Sequence, residues 1–258
     1  MRYRKFHPSP ILQHYIREFI ILESSLYFDS RTIPDTAMVM TFRYKGKVSK
    51  IAGDKNEILP ATGISGLRKT SRLFRYDEQT ANLLVVFKEG GMNAFCKTPA
   101  HELFELNISS DNLFPSSQLN ELLEQLAEAA TDEERIRITE AFLFAKLRPD
   151  ANPDPLIVGA LQSISRHHGI IRIKELAASL YLSQDAFEKK FRQMVGATPK
   201  QYASIVRIKE LIRRYPTYIS LTDAAYEAGY YDQSHFIKDF RLFTGRTPRE
   251  FFSDFSYW

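Results

Sequence analysis

The spacing of apolar residues changes along the chain. Up to about residue 90 they come in short runs rich in β-branched and aromatic side chains; beyond about residue 115 they recur every three or four positions. Ala37–Tyr44 (AMVMTFRY) and Asn82–Lys88 (NLLVVFK) read as strands. Ile11–Leu26 is strongly apolar and reads as helix followed by strand, while Gly46, Gly53, Gly63 and Gly66 divide the interval into short strands and turns. The pattern predicts a small β-sandwich or barrel. Gly90-Gly91 ends it, and Met92–Lys97 reads as a short helix stopped before Pro99. Ser117–Ala130 reads as a helix with Leu119, Leu122, Leu123 and Leu126 on one face. Thr131 and Glu134 form a capping box for a helix running to Leu147, with Ile138, Ala141, Phe142 and Ala145 as its apolar face. These two helices pack on the β-rich part or pair between subunits of a homodimer.

Arg148–Pro155 holds three prolines in eight residues, a semi-rigid spacer. The expected division is a β-rich domain with C-terminal helices over 1–148, a linker over 149–155 and a helical domain over 156–258. In the last, Asp154 caps a helix beginning at Pro155, with Ile157, Leu161 and Ile164 on its core face and Gly169 as its stop.

The helical part contains a repeat. Residues 187–202 read FEKKFRQMVGATPKQY and residues 236–251 read FIKDFRLFTGRTPREF. Phe187, Lys189, Phe191, Arg192, Gly196, Thr198 and Pro199 recur 49 residues on, and Tyr202 recurs as Phe251. Phenylalanines four apart share one helix face. Gly196 and Gly245 stand where a helix ends at positive φ, and each Thr-Pro reads as an N-cap with proline at the first helical position. Upstream, Ile173–Ala177 and Leu221–Ala225 read as short helices, with Ser183 and Asp232 capping the longer ones. Short helix, turn and second helix make a helix-turn-helix, whose second helix reads the DNA major groove.

The pair resembles the DNA-binding region of the AraC/XylS family of bacterial transcription regulators over roughly residues 155–252. That family carries two helix-turn-helices joined by a long linker helix, with G-x-T/S-P after each recognition helix. One departure is Tyr181, standing where the second copy has Gly229 in the turn; it implies some strain or a different turn. The resemblance implies an α+β protein: an N-terminal cupin-like β-barrel with accessory helices, then an all-α domain of two helix-turn-helices. Looser similarity to a subgroup rests on the Pro-rich start, I-P-D at 33–35 and F-K-E-G-G at 87–91. The recognition helices fall at about 184–194 and 233–243, with the linker helix near Pro199–Tyr215 carrying Tyr202, Ile205, Ile208 and Ile212 inward.

Because the phenylalanine pairs fix the buried faces, the opposite faces are offered to the groove: Gln184, Asp185, Glu188, Lys189 and Arg192 in copy one, and Gln233, Ser234, His235, Ile237, Lys238 and Arg241 in copy two. By resemblance, the family's base-reading positions fall on Asp185, Glu188 and Lys189, then on Gln233, Ser234, His235, Ile237 and Lys238. Gln233 suits adenine, Lys238 guanine and Ile237 a thymine methyl. Glu188 either accepts from cytosine or pairs with Arg192 along the helix. Arg192 and Arg241 brace the fold, hold phosphate or read bases.

Charge agrees in sign. Of 35 basic and 31 acidic residues, 15 and 11 lie after Asn152, so the whole net charge of +4 belongs to the helical part. A single cysteine, Cys96, excludes an internal disulfide. His7, His14 and His101 are scattered and His167-His168 ends a helix, so neither metal nor cofactor is expected. Gly90-Gly91 lacks the spacing and lysine of a phosphate loop. No apolar run reaches 18 residues and the N-terminus lacks a signal-peptide core, so a cytoplasmic protein off the membrane is expected. The reading is a non-enzymatic, effector-responsive regulator that binds double-stranded DNA and contacts RNA polymerase. Its effector-binding residues are unknown. The alternative is a small-molecule-binding or enzymatic β-barrel with a helical protein-interaction module.

Overall fold

The computed structural model describes residues 1–53, 55–148, 152–215 and 220–253; Pro149, Asp150 and Ala151 of the proline-rich spacer lie outside the described residues. Among the described residues ten strands form the N-terminal part: β1 (Arg2–Phe6), β2 (Ile16–Ser24), β3 (Phe28–Thr32), β4 (Val39–Lys45), β5 (Val48–Ala52), β6 (Lys55–Ile58), β7 (Thr62–Ser65), β8 (Arg72–Tyr76), β9 (Thr80–Phe87) and β10 (Asn107–Ser109). They make a six-stranded sheet ordered β1-β2-β9-β4-β7-β10 and a four-stranded sheet ordered β3-β8-β5-β6. All pairings are antiparallel. The expected closed cupin-like barrel is not formed. From β2 to β5 the chain crosses between sheets at each connection, so consecutive strands face each other instead of sharing a ladder.

Strand alternation sorts the six-stranded sheet into two faces. Met40, Phe42, Leu83, Val85 and Phe87 are fully buried on one side. There they join α1 (Ser116–Glu128) and α2 (Asp132–Lys146) through Leu119, Leu122, Leu126, Ile136 and Leu143. The other face turns Val39, Thr41, Arg43, Asn82 and Leu84 toward the smaller sheet.

The buried face of α2 is not the expected one. Ile136, Thr139 and Leu143 are buried, Ala141 and Ala145 are exposed, and Ile138 and Phe142 are half-buried. Counting apolar residues alone misplaced the stripe, because a threonine completes it: the Thr139 hydroxyl donates to the Arg135 carbonyl at 2.8 Å. Asp132 is buried at the helix start, paired with Arg4 and Arg135. The capping box is offset as well. Thr131 accepts the Glu134 N–H, but the Glu134 carboxylate takes the N–H of Ala130. Met92–Lys97 shortens to a single 3₁₀ turn, Gly91–Ala94.

Among the described residues seven α-helices follow: α3 (Pro155–Arg166), α4 (Ile173–Ser179), α5 (Gln184–Val195), α6 (Pro199–Arg214), α7 (Leu221–Glu227), α8 (Gln233–Thr244) and α9 (Pro248–Ser253). One apolar cluster runs from the six-stranded sheet through α1 to α3 and into α4 and α5; a second holds α6, α7, α8 and α9 together. Among the described residues no helix is long and apolar enough to cross a membrane.

Candidate nucleic-acid interface

The repeat is reproduced in three dimensions, residue for residue. Phe187, Phe191, Phe236 and Phe240 have no exposed surface. The Phe187–Phe191 rings meet edge-on with centroids 5.6 Å apart at 65°, and Phe236–Phe240 do so at 5.6 Å and 64°. Tyr202 and Phe251, the related aromatics one helix on, pack edge-on against Phe191 and Phe240. Both long helices end on glycine in the left-handed region, Gly196 at φ 92° and Gly245 at φ 79°. Each following threonine closes a capping box: Thr198 with Gln201, and Thr247 with Glu250.

The turns match too, Tyr181 notwithstanding. Leu182 and Tyr181 donate to the carbonyls of Ala177 and Ala178, as Tyr230 and Gly229 donate to Ala225 and Tyr226. Both are Schellman endings with the pivotal residue at positive φ, 57° at Tyr181 and 74° at Gly229. The turn is therefore the same in both copies. The tyrosine carries the strain there with its side chain 98% exposed.

With the aromatic faces buried, the outward faces follow. Gln184, Asp185, Lys189 and Arg192 on α5, and Gln233, Ser234, His235, Lys238 and Arg241 on α8, are exposed. Glu188 is half-buried and accepts a hydrogen bond from Gln184 at 2.9 Å, so its partner along the helix is Gln184 and not the Arg192 considered from sequence. Ile237 is half-buried against the second apolar cluster. Lys189 and Lys238 have no ion-pair partner among the described residues, which leaves two ammonium groups on the outer surface. His235 packs edge-on to Tyr230 and lies 3.7 Å from Asp239. From α6, the Arg207 guanidinium covers the Tyr230 ring at 4.2 Å and approaches Asp239 at 3.6 Å, which ties α6 to α8.

Residues 176–254 match the family model described as Helix-turn-helix domain. The C-terminal segment is a helix-turn-helix domain. Residues 4–109 match a second family model, described as Domain of unknown function (DUF6597). No curated protein matches the chain. Similar solved structures include ToxT from Vibrio cholerae, at 12% identity and a TM-score of 0.46, covering 90% of this chain and 95% of that one. The C-terminal domain of AraT, a response regulator from Geobacillus stearothermophilus, is similar at 19% identity and a TM-score of 0.37, covering 39% and 85%. A transcriptional regulator from Chromobacterium violaceum with an AraC-type DNA-binding domain is similar at 20% and 0.35, covering 37% and 88%.

The N-terminal sheets touch the helix-turn-helix domain behind its exposed faces. Asn93 donates to the Met194 carbonyl at 2.9 Å, and Gly90 closes against the Met194 side chain. A Cβ on Gly196 would meet Met38 and the Ala100 carbonyl, and one on Gly245 would meet Arg31 and Ser71. The contacts thus reach the C-terminal ends of both α5 and α8. Along α6, Tyr202 donates to Glu89 at 3.3 Å and Lys209 pairs with Asp35, while Arg17 joins Asp35 to Glu89. Burial and the Glu89 charge push the Tyr202 phenol up. Burial alone would raise Asp35, but Lys209 and Arg17 hold its carboxyl below the usual range. Asp35 and Glu89 escaped notice as working residues, yet they sit inside the two loosely matched motifs, I-P-D and F-K-E-G-G.

Proposed function

We propose that this chain regulates transcription by laying α5 and α8 into successive major grooves of one DNA duplex, with the two-sheet domain responding to an effector. The observation that carries it is the duplication of the complete unit, with the same ring geometry, glycine stop, capping box and polar outer face. The linker supports the spacing. Sixteen residues at about 1.5 Å each make α6 roughly 24 Å long, and with one helix diameter of about 10 Å the two units come to about one DNA turn apart. In this reading Gln233, Lys238 and the outer groups of α5 read bases, and Arg192 and Arg241 hold phosphate. The protein acts by binding, in the cytoplasm, as a homodimer whose exposed Ala141, Phe144 and Ala145 on α2 face a second copy, and it signals to RNA polymerase.

The test is selection of duplexes from a randomised pool by the full-length chain, followed by gel-shift titration. A bipartite site with two blocks near one helical turn apart is expected, with affinity falling steeply as salt rises. Absence of duplex binding returns the chain to the alternative of a small-molecule-binding or enzymatic β-domain with a helical protein-interaction module, and binding equal on all sequences removes the base-reading role.

A further inference from the structure

The turns that open α5 and α8 carry two aromatic side chains that the fold leaves in water. Tyr181 is 98% exposed and Tyr231 93% exposed, and among the described residues neither phenol has a hydrogen-bond or ring partner. A singly exposed aromatic is ordinary; one on a strained backbone is not. Four residues other than glycine have positive φ among the described residues: Gln79, Glu105, His168 and Tyr181. Three of them are held there by their side chains. Gln79 accepts from Lys45, Glu105 accepts the N–H of Lys69, and His168 meets Glu210 and Arg214. Tyr181 has no such hold, and copy two fills the same place with Gly229, which adopts this φ without strain. Tyr231 arrives by another route. Tyr181 matches Gly229, 48 residues on, whereas the caps Ser183 and Asp232 stand 49 apart, so copy two carries one more residue between turn and cap. That residue is Tyr231. Two unrelated changes thus set an exposed phenol within two residues of the N-cap of α5 and of α8.

Strain kept without internal compensation points to a partner outside the chain. The N-cap end of a helix that enters a major groove meets the edge of that groove, where the sugar–phosphate backbone runs. A phenol suits that place. Its hydroxyl donates a charge-assisted hydrogen bond to a phosphate oxygen, and its ring lies on the deoxyribose. We propose that Tyr181 and Tyr231 clamp the DNA backbone beside α5 and α8, one at each block of the site, and so set the depth and angle at which the two helices enter. This rests on the DNA-binding reading above and names two positioning residues outside the outward faces of α5 and α8. A phenol is neutral and displaces no bound cation from the duplex, so its signature differs from that of a lysine or arginine. Its loss weakens all sequences alike and leaves the salt slope where it was.

The full-length chain is titrated on its selected duplex as wild type, Tyr181→Phe, Tyr231→Phe and Tyr181→Gly. Each Phe variant keeps ring and backbone and should lose about tenfold in affinity, on single-base variants of the site as on the preferred one, with an unchanged salt slope. Tyr181→Gly should bind at least as weakly, yet its urea midpoint should equal or exceed that of the wild type because the strain is gone. A purely structural role would not pair a firmer fold with weaker binding. Methylphosphonates placed in turn along the backbone beside each block remove single phosphate charges. At one position per block the replacement should weaken the wild type and leave the matching Phe variant unaffected. Unaltered affinity in both Phe variants, a loss confined to certain base pairs, or a lowered urea midpoint for Tyr181→Gly overturns the clamp. Full duplex affinity in the Phe variants with lost response of added RNA polymerase would transfer the tyrosines to a protein partner and overturn it as well. If the wild type binds no duplex, the proposed function and the clamp fall together, whereas duplex binding that the Phe variants share in full removes the clamp alone.

Discussion

Gly196 and Gly245 occupy the same place in the two units and have different neighbours, so substituting each by alanine separates what belongs to the repeat from what belongs to domain packing. Both sit in the left-handed region and both donate their N–H to an arginine carbonyl four residues back. Alanine there costs about 1–2 kcal/mol in backbone strain at either site. At Gly245 the new methyl would lie 2.5 Å from Arg31 Nη1 and 2.7 Å from Ser71 Oγ, the ends of side chains free to swing aside. At Gly196 it would lie 2.4 Å from Met38 Cε and 2.9 Å from the Ala100 carbonyl oxygen. The methionine can move, but that carbonyl belongs to the 3₁₀ turn Ala100–Leu103, seated against α5 and anchored by its buried Ala100 and Leu103. Overpacking against fixed backbone adds about 1–3 kcal/mol. Urea unfolding of the full-length chain should therefore show Gly245→Ala losing about 1–2 kcal/mol and Gly196→Ala at least about 1 kcal/mol more. Equal losses would refute the seating of the first unit on the β-domain.

Lys238→Ala should relax base preference at one position, whereas Arg241→Ala should weaken all sequences alike and lower the salt slope by about one; a panel of single-base variants distinguishes them, and a uniform loss for Lys238→Ala would remove its reading role. Because Lys209 and Arg17 hold the Asp35 carboxyl below its usual value, its contribution to stability is complete above about pH 4 and fades as pH falls through the lowered native value. The stability gap between wild type and Asp35→Asn should be constant from about pH 5 upward and close toward pH 3 in urea titrations; a gap that persists unchanged at low pH would contradict the pairing.

The parts of the fold visible in sequence are those fixed by local spacing. Phenylalanine pairs four apart, a glycine and a Thr-Pro dictate helix, stop and cap within a dozen residues, and each formed as expected. The face of α2 was hidden, because Asp132 and Thr139 are buried through partners that apolar counting ignores: Arg4 from strand β1, and the Arg135 carbonyl of the helix itself. Strand pairing was hidden too, since whether crossing strands close a barrel depends on contacts far apart in sequence. On α5 and α8, the outward faces of Gln184 and Gln233 followed from periodicity, but the half-burial of Ile237 depends on packing within the second cluster. The alternation that placed Val39, Thr41 and Arg43 on one face was also legible. Only the opposite sheet revealed that this face looks into a cavity.

Under the proposed function, two rigidly spaced helices read one duplex together. Once a preferred bipartite site is in hand, inserting 5 bp between its blocks turns one of them to the far side of the helix. The affinity should then drop on the order of a hundredfold or more, as the two or three base contacts of one block are lost at about 1–3 kcal/mol each. An affinity that survives the insertion unchanged would mean that the helices do not engage the duplex as a fixed pair.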